Sequence, residues 1–139
     1  MLYELLKNGF GKDRDFNCAE KILYGANEAY QLGLSHDALK MAAGFGGGMA
    51  IEGTCGALTG AIMVLGRLFV KDTAHESTRI KELTKELFEE YRKAMGDINC
   101  APLKAKHRTE AIGCRDVIFK AAEILDRIVD RERKKDQQQ

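Results

Sequence analysis

From Gly53 to Gly66 the chain carries no charged residue, and within that run Gly56 and Gly60, like Ala57 and Ala61, recur at i,i+4. A helix with almost no polar face must be surrounded by other elements, so this segment is expected at the centre of a helical bundle. Its small residues line one side and let a neighbouring backbone approach closely, despite the helix-propensity cost of glycine. Cys55, Thr59, Ile62 and Gly66 share another side, and Thr54 is placed to cap a helix that begins at Cys55. Glu52 and Arg67 close the run, well short of the roughly 20 apolar residues a membrane span needs.

Helical periodicity governs the rest of the chain. Leu2, Leu5 and Leu6 predict a short first helix, broken over Gly9 to Arg14. Asp15 or Asn17 caps a second helix, with Glu20 three residues after Asn17 in capping-box fashion and a core face of Cys18, Ile22, Ala26 and Ala29. Gly33 is expected to end it and Ser35 to cap a third helix that runs through Leu39 and Met41 to the glycine run Gly44-Phe45-Gly46-Gly47-Gly48. A helix from about Thr73 to Met95 sets Ile80, Leu83, Leu87, Tyr91 and Ala94 against a solvated face of Lys81, Glu82, Lys85, Glu86, Glu89 and Lys93. Asp97 to Pro102 reads as a loop, because proline disfavours helix at the residue before it. The last helix carries Cys114, Val117, Ile118, Ala121, Leu125 and Ile128, and the charged, glutamine-ended stretch 131–139 is expected to fray. The expectation is one all-α domain over residues 1–139, a bundle of five or six helices with its core at about 15–130 and no strand.

Lysines and arginines number 22 against 21 aspartates and glutamates, for a formal charge of +1. No global field therefore favours nucleic acid or an anionic membrane. The start of the chain lacks a secretory n-region and h-region, so a reducing, cytoplasmic setting is expected. In that setting structural disulfides are rare, and clustered thiols bind metal or exchange electrons.

Four cysteines, Cys18, Cys55, Cys100 and Cys114, are therefore the lead to function. The thiolate is both nucleophile and metal ligand, and free N–H groups at a helix start stabilise it. Cys18 and Cys55 fall at predicted helix starts, with Cys55 expected to be the most acidic thiol. Cys114 lies in or one turn inside a first turn, and Cys100 in a loop from which it can swing as a fourth ligand or a resolving thiol. A buried free cysteine also serves as a small apolar filler, and Cys18 and Cys114 lie on apolar stripes. Four in one small chain, two of them at helix starts, favour a shared site assembled from distant segments, since no CxxC pair is present.

The order Phe16-Asn17-Cys18-Ala19-Glu20, then Gly44-Phe45-Gly46-Gly47-Gly48-Met49, then Cys55-Gly56-Ala57-Leu58-Thr59-Gly60, then Cys100 and Cys114 resembles the four-cysteine redox-active family named after its CGAxxG motif. The resemblance covers nearly the whole chain. It implies a redox role resting on the four cysteines, and similar domains joined to c-type haem segments suit electron transfer. No CxxCH occurs here, so no haem of its own is expected. The glycine run meets neither the Walker A pattern nor the strand-led Rossmann turn, so no nucleotide is expected either. It reads as a tight turn whose Gly46, Gly47 and Gly48 amides, with Gly56 nearby, are candidate contacts to a thiolate or cluster sulfur.

His36 and His75 read as surface residues, and His107 as a solvated loop residue with a fifth-ligand role as its alternative. Glu52 is placed either to favour the positive end of the central helix or to act as a base near Cys55. The reading is a small redox protein in one of two forms. Either four thiolates hold an iron–sulfur cluster, with zinc as the inert variant, or a thiol pair exchanges with a disulfide. The expected partner is a redox protein or a small thiol or oxidant, and a homo-oligomer is compatible with the sequence. Outside this class stands a helical interaction module whose cysteines are core.

Overall fold

A computed structural model describes residues 1–138, and among these the chain is helical throughout, with seven α-helices and no strand beyond two isolated bridge pairs. They are α1 (Leu2–Lys7), α2 (Cys18–Ala29), α3 (His36–Leu39), α4 (Gly56–Phe69), α5 (Arg79–Met95), α6 (Cys100–His107) and α7 (Arg115–Gln137). No helix among the described residues is long and apolar enough to cross a membrane.

The uncharged segment forms the central helix, with α4 packed against α2, α5 and α7. Ala57, Leu58, Ala61, Val64 and Leu65 on it are fully shielded. Its glycines set the spacing to α2: a Cβ on Gly60 would stand 2.9 Å from the Ala19 carbonyl oxygen, and one on Gly56 3.2 Å from the Ala19 amide nitrogen. Close approach of two backbones is thus a property of this glycine pair. The core is completed by Leu83, Leu87, Tyr91 and Met95 of α5 and by Val117, Ala121, Leu125 and Ile128 of α7.

Helix ends follow local chemistry. Asn17 caps α2 in a full capping box: its side chain accepts from the Glu20 amide at 2.9 Å while the Glu20 carboxylate accepts from its own amide at 3.0 Å. Ser35 caps α3 through the Ala38 amide at 3.2 Å.

Several boundaries differ from the expectation. The second helix stops at Ala29, with Gly33 in the turn beyond it. The third is a single α-turn that tightens into a 3-10 segment at Lys40–Phe45, which leaves Met41 exposed. Residues 74–76 form a separate 3-10 turn, so α5 begins at Arg79, and Met95 rather than Ala94 completes its apolar stripe. Pro102 lies inside α6, not in a loop. It occupies the first turn, where its missing N–H has no intrahelical partner to lose.

The stretch after Asp130 does not fray but continues α7 to Gln137, and Gln139 lies outside the described residues. Arg131 holds Glu86 of α5 through two bonds of 2.7 Å. Buried Glu132 meets Arg79 at 3.2 Å, Arg131 at 3.0 Å and Lys135 at 3.1 Å. Burial alone would raise the Glu132 pKa, but the surrounding hydrogen bonds and charges outweigh it and the carboxyl is lowered.

Candidate four-cysteine site

Each cysteine stands at the start of a different helix. Cys18 and Cys100 are the first residues of α2 and α6, while Cys55 and Cys114 occupy the capping positions of α4 and α7. All four are free thiols and all four line one small pocket, together with Gly47, Gly48, Gly56, Leu103, Lys104 and Val117. Sequence reasoning placed two of the cysteines at helix starts; the fold places all four there and turns them toward one another. The central helix is capped by Cys55 itself, because Thr54 is drawn into a bridge with Asn99.

That bridge sets one pair of cysteines. The Cys55 amide donates to the Ile98 carbonyl at 2.8 Å, and the Cys100 amide donates to that of Gly53 at 2.6 Å. Cys114 is positioned by a tight turn in which the Gly113 amide donates to the Thr109 carbonyl at 2.7 Å. Cys18 is fixed through its neighbour, since the Asn17 amide group donates to the Ala43 carbonyl at 2.9 Å. Cys18 and Cys114 are half-buried where Cys55 and Cys100 are buried, and both line the pocket.

The glycine run wraps the pocket by an unusual backbone. Gly47, Gly48, Met49 and Ala50 are all left-handed, with φ between 61° and 65°. Gly48 could be no other residue, because a Cβ there would stand 2.8 Å from Cys100 Cβ and closer still to Gly53. Of the candidate glycines, Gly47, Gly48 and Gly56 line the pocket, whereas Gly46 is packed against the Asn17 side chain. Left-handed Met49 and Ala50 carry strain of about 1 kcal/mol each or more.

Burial governs the electrostatics. It pushes the Cys18 thiol up to about 12, with further contributions from Cys55, Cys114 and Cys100. The Cys55 thiol is also raised by burial, although the Ala57 and Leu58 amides in the first turn of α4 pull the other way. The helix-start effect expected at Cys55 is present but loses to desolvation, so Cys55 is not an acidic thiol. Cys100 is raised by burial against the opposing charges of Lys104 and Arg108.

Tyr91 is a neighbour that sequence reasoning read only as core. Its hydroxyl donates to the Val117 carbonyl at 3.1 Å, and its pKa is raised by burial and by the Cys55 and Cys18 sulfurs. Its place on the α5 stripe signalled burial, but nothing in the sequence signalled a thiol beside it.

The other candidates lie apart. His36 and His75 are exposed, and His107, half-buried as the last residue of α6, bonds to the Met95 carbonyl at 3.1 Å. Glu52 pairs with Lys104 at 3.7 Å and acts on Cys100 rather than Cys55.

The donor set is wholly sulfur, which suits zinc or an iron–sulfur cluster. The spacing is another matter. Among the described residues no group of three or more His, Cys, Asp or Glu side chains is disposed to hold a metal ion. The pocket between the thiols measures about 10 Å³, room for no more than one water.

A comparison with curated proteins and one with solved structures each give no match. A family model described as "Putative redox-active protein (C_GCAxxG_C_C)" matches residues 16–128, a span that holds all four cysteines, the glycine run and the Cys55–Gly60 segment. The chain therefore belongs to this redox-active family.

Proposed function

We propose that the four cysteines work as one redox centre, in which Cys18 and Cys114 cycle between two thiols and a disulfide. The observation that carries this reading is the meeting of Cys18 and Cys114, the two half-buried thiols of the four, in the wall of one pocket of about 10 Å³, although they come from helices far apart in the chain. Thiols that share so small a pocket need only a short approach to the disulfide bond length of about 2.05 Å. Their oxidation removes two protons and two electrons, which an external disulfide takes up as two thiols. Burial disfavours thiolates and leaves as the two states of the pair the dithiol and the disulfide, neither of which carries charge. Cys55 and Cys100, pinned by the backbone bridge, complete the pocket wall.

A second reading is favoured by a different observation, the convergence of four helix starts on four sulfurs. Four thiolates in one place repel each other, and four positive helix ends answer more charge than a dithiol ever carries. In that form the four cysteines hold an iron–sulfur cluster, which when bound supplies one-electron transfer. The helix starts would have to part to admit it, given the 10 Å³ between them.

Single Cys→Ser variants separate the two. On the first reading, oxidation followed by peptide mapping finds a Cys18–Cys114 disulfide in the wild type, C55S and C100S, and none in C18S or C114S. On the second, anaerobic reconstitution with iron and sulfide gives a coloured protein, and every one of the four substitutions strips iron and colour together. Four variants unchanged in both thiol oxidation and metal content would sink both forms and leave a helical interaction module.

A further inference from the structure

Beside the closed pocket, a cleft of about 390 Å³ opens to solvent, and Cys18, Cys100 and Cys114 form part of its wall. Its polar lining is cationic: Lys21, Lys104, Arg108 and Arg115 face it, and no carboxylate does. Two of these cations have nearby acids, Lys104 with Glu52 at 3.7 Å and Arg115 with Asp116 at 3.6 Å, both exposed pairs of the kind that hold weakly. A chain of charge +1 thus concentrates four positive groups at a cleft whose wall includes three of its four thiols. The charges reach the sulfur, since Lys104 and Arg108 both act on the Cys100 thiol. The volume falls in the range of small-molecule sites, about 300–1,000 Å³. Phe16 and Ile118 add apolar wall.

We propose that this cleft binds a small anionic disulfide, whose acidic groups are held by Lys104, Arg108, Lys21 and Arg115 while its sulfur–sulfur bond lies against Cys114 and Cys18. The inference rests on the thiol-exchange reading above and names its oxidant. The combination of features selects the class. Cations alone would hold any small anion, but three thiols in the same wall give a purpose only to an anion that reacts with sulfur.

The step balances as follows. The Cys114 thiol loses its proton to solvent and its sulfur attacks one sulfur of the bound disulfide, breaking that bond and expelling the first product thiolate, which takes up a proton. Cys18 then attacks the Cys114 sulfur of the mixed disulfide and its proton goes to the second departing thiolate. The products are one protein disulfide and two small thiols.

The test follows oxidation of the reduced full chain by three disulfides: anionic glutathione disulfide, neutral 2-hydroxyethyl disulfide and cationic cystamine. Each rate is normalised to that of the same disulfide with free cysteine. The anionic disulfide should react faster than the cationic one by about tenfold or more at low salt, the scale of electrostatic focusing in a charged cleft. The ratio should collapse in high salt and in the K104Q/R108Q double variant, whose circular dichroism and thermal midpoint, matched to the wild type, report an intact fold. Equal normalised rates, or a ratio untouched by the double variant, overturn the cleft assignment but leave thiol exchange standing. Failure of all three to form the Cys18–Cys114 disulfide overturns thiol exchange itself, and the assigned oxidant with it.

Discussion

Cys18 concentrates the electrostatics of the site in one group, a thiol raised from 9.0 to about 12 by burial and by three neighbouring sulfurs. Its folded pKa lies above the unfolded one, so it contributes stability that is complete below pH 9 and lost as pH rises toward about 12. The reduced protein should therefore weaken in alkali, by at most about 1.4 kcal/mol per pH unit for each such thiol. Urea midpoints at pH 7 and pH 11 measure this, and C18S, with no thiol there to ionise, should lose less on the same pH change. Tyr30 is raised as well, chiefly by burial, and its share of the alkaline loss is common to both proteins, whereas Tyr91 loses in C18S the part of its shift that the Cys18 sulfur supplies, which widens the difference. An equal loss in wild type and C18S would mean that Cys18 ionises as freely when folded as when unfolded.

At the scale of elements, the distance between α2 and α4 decides where Cys18 and Cys55 stand, and glycines decide that distance. Gly60 and Gly66 sit in the same helix with opposite surroundings. A Cβ on Gly60 meets Ala19 backbone at 2.9 Å, whereas one on Gly66 meets nothing within 4 Å. Alanine gains helix propensity at both, about 1 kcal/mol. At Gly60 the gain is outweighed by overpacking of about 1–3 kcal/mol. G66A should thus raise the thermal midpoint and G60A lower it. G60A should also slow formation of the Cys18–Cys114 disulfide, because α2 is pushed away from the pocket. Matching shifts in the two variants would show that the interhelical contact sets nothing. Part of this was legible, since the i,i+4 pattern Gly56/Gly60 announces a close neighbour. Which helix fills that place was not, because small residues specify a distance and no partner.

Across the whole molecule, the charged end of α7 is held by α5 instead of solvent. Glu132, 4% exposed, is the hub of that contact, with Arg79, Arg131 and Lys135 around it. E132Q should cost about 1–2 kcal/mol, less than a fully buried pair because its cations remain partly exposed. Urea unfolding checks it, and an unchanged midpoint would return residues 131–137 to the frayed end that their composition suggested. The sequence alone determined that the fold is helical, the central place of the uncharged segment, the cap at Ser35, and the four-cysteine order that carries the family. These are short-range matters of periodicity, side-chain hydrogen bonding and residue order, all present in a few neighbouring residues. The tertiary structure decided the rest: that a helix starts at Cys100 with Pro102 in its first turn, that burial overrides the helix field at Cys55, and that Cys18 and Cys114 share one pocket. Those outcomes depend on the bridge between Thr54 and Asn99 and on the backbone contact at Gly60, which join residues distant in the chain. No local pattern records such meetings, because their free energy exists only once the helices have packed.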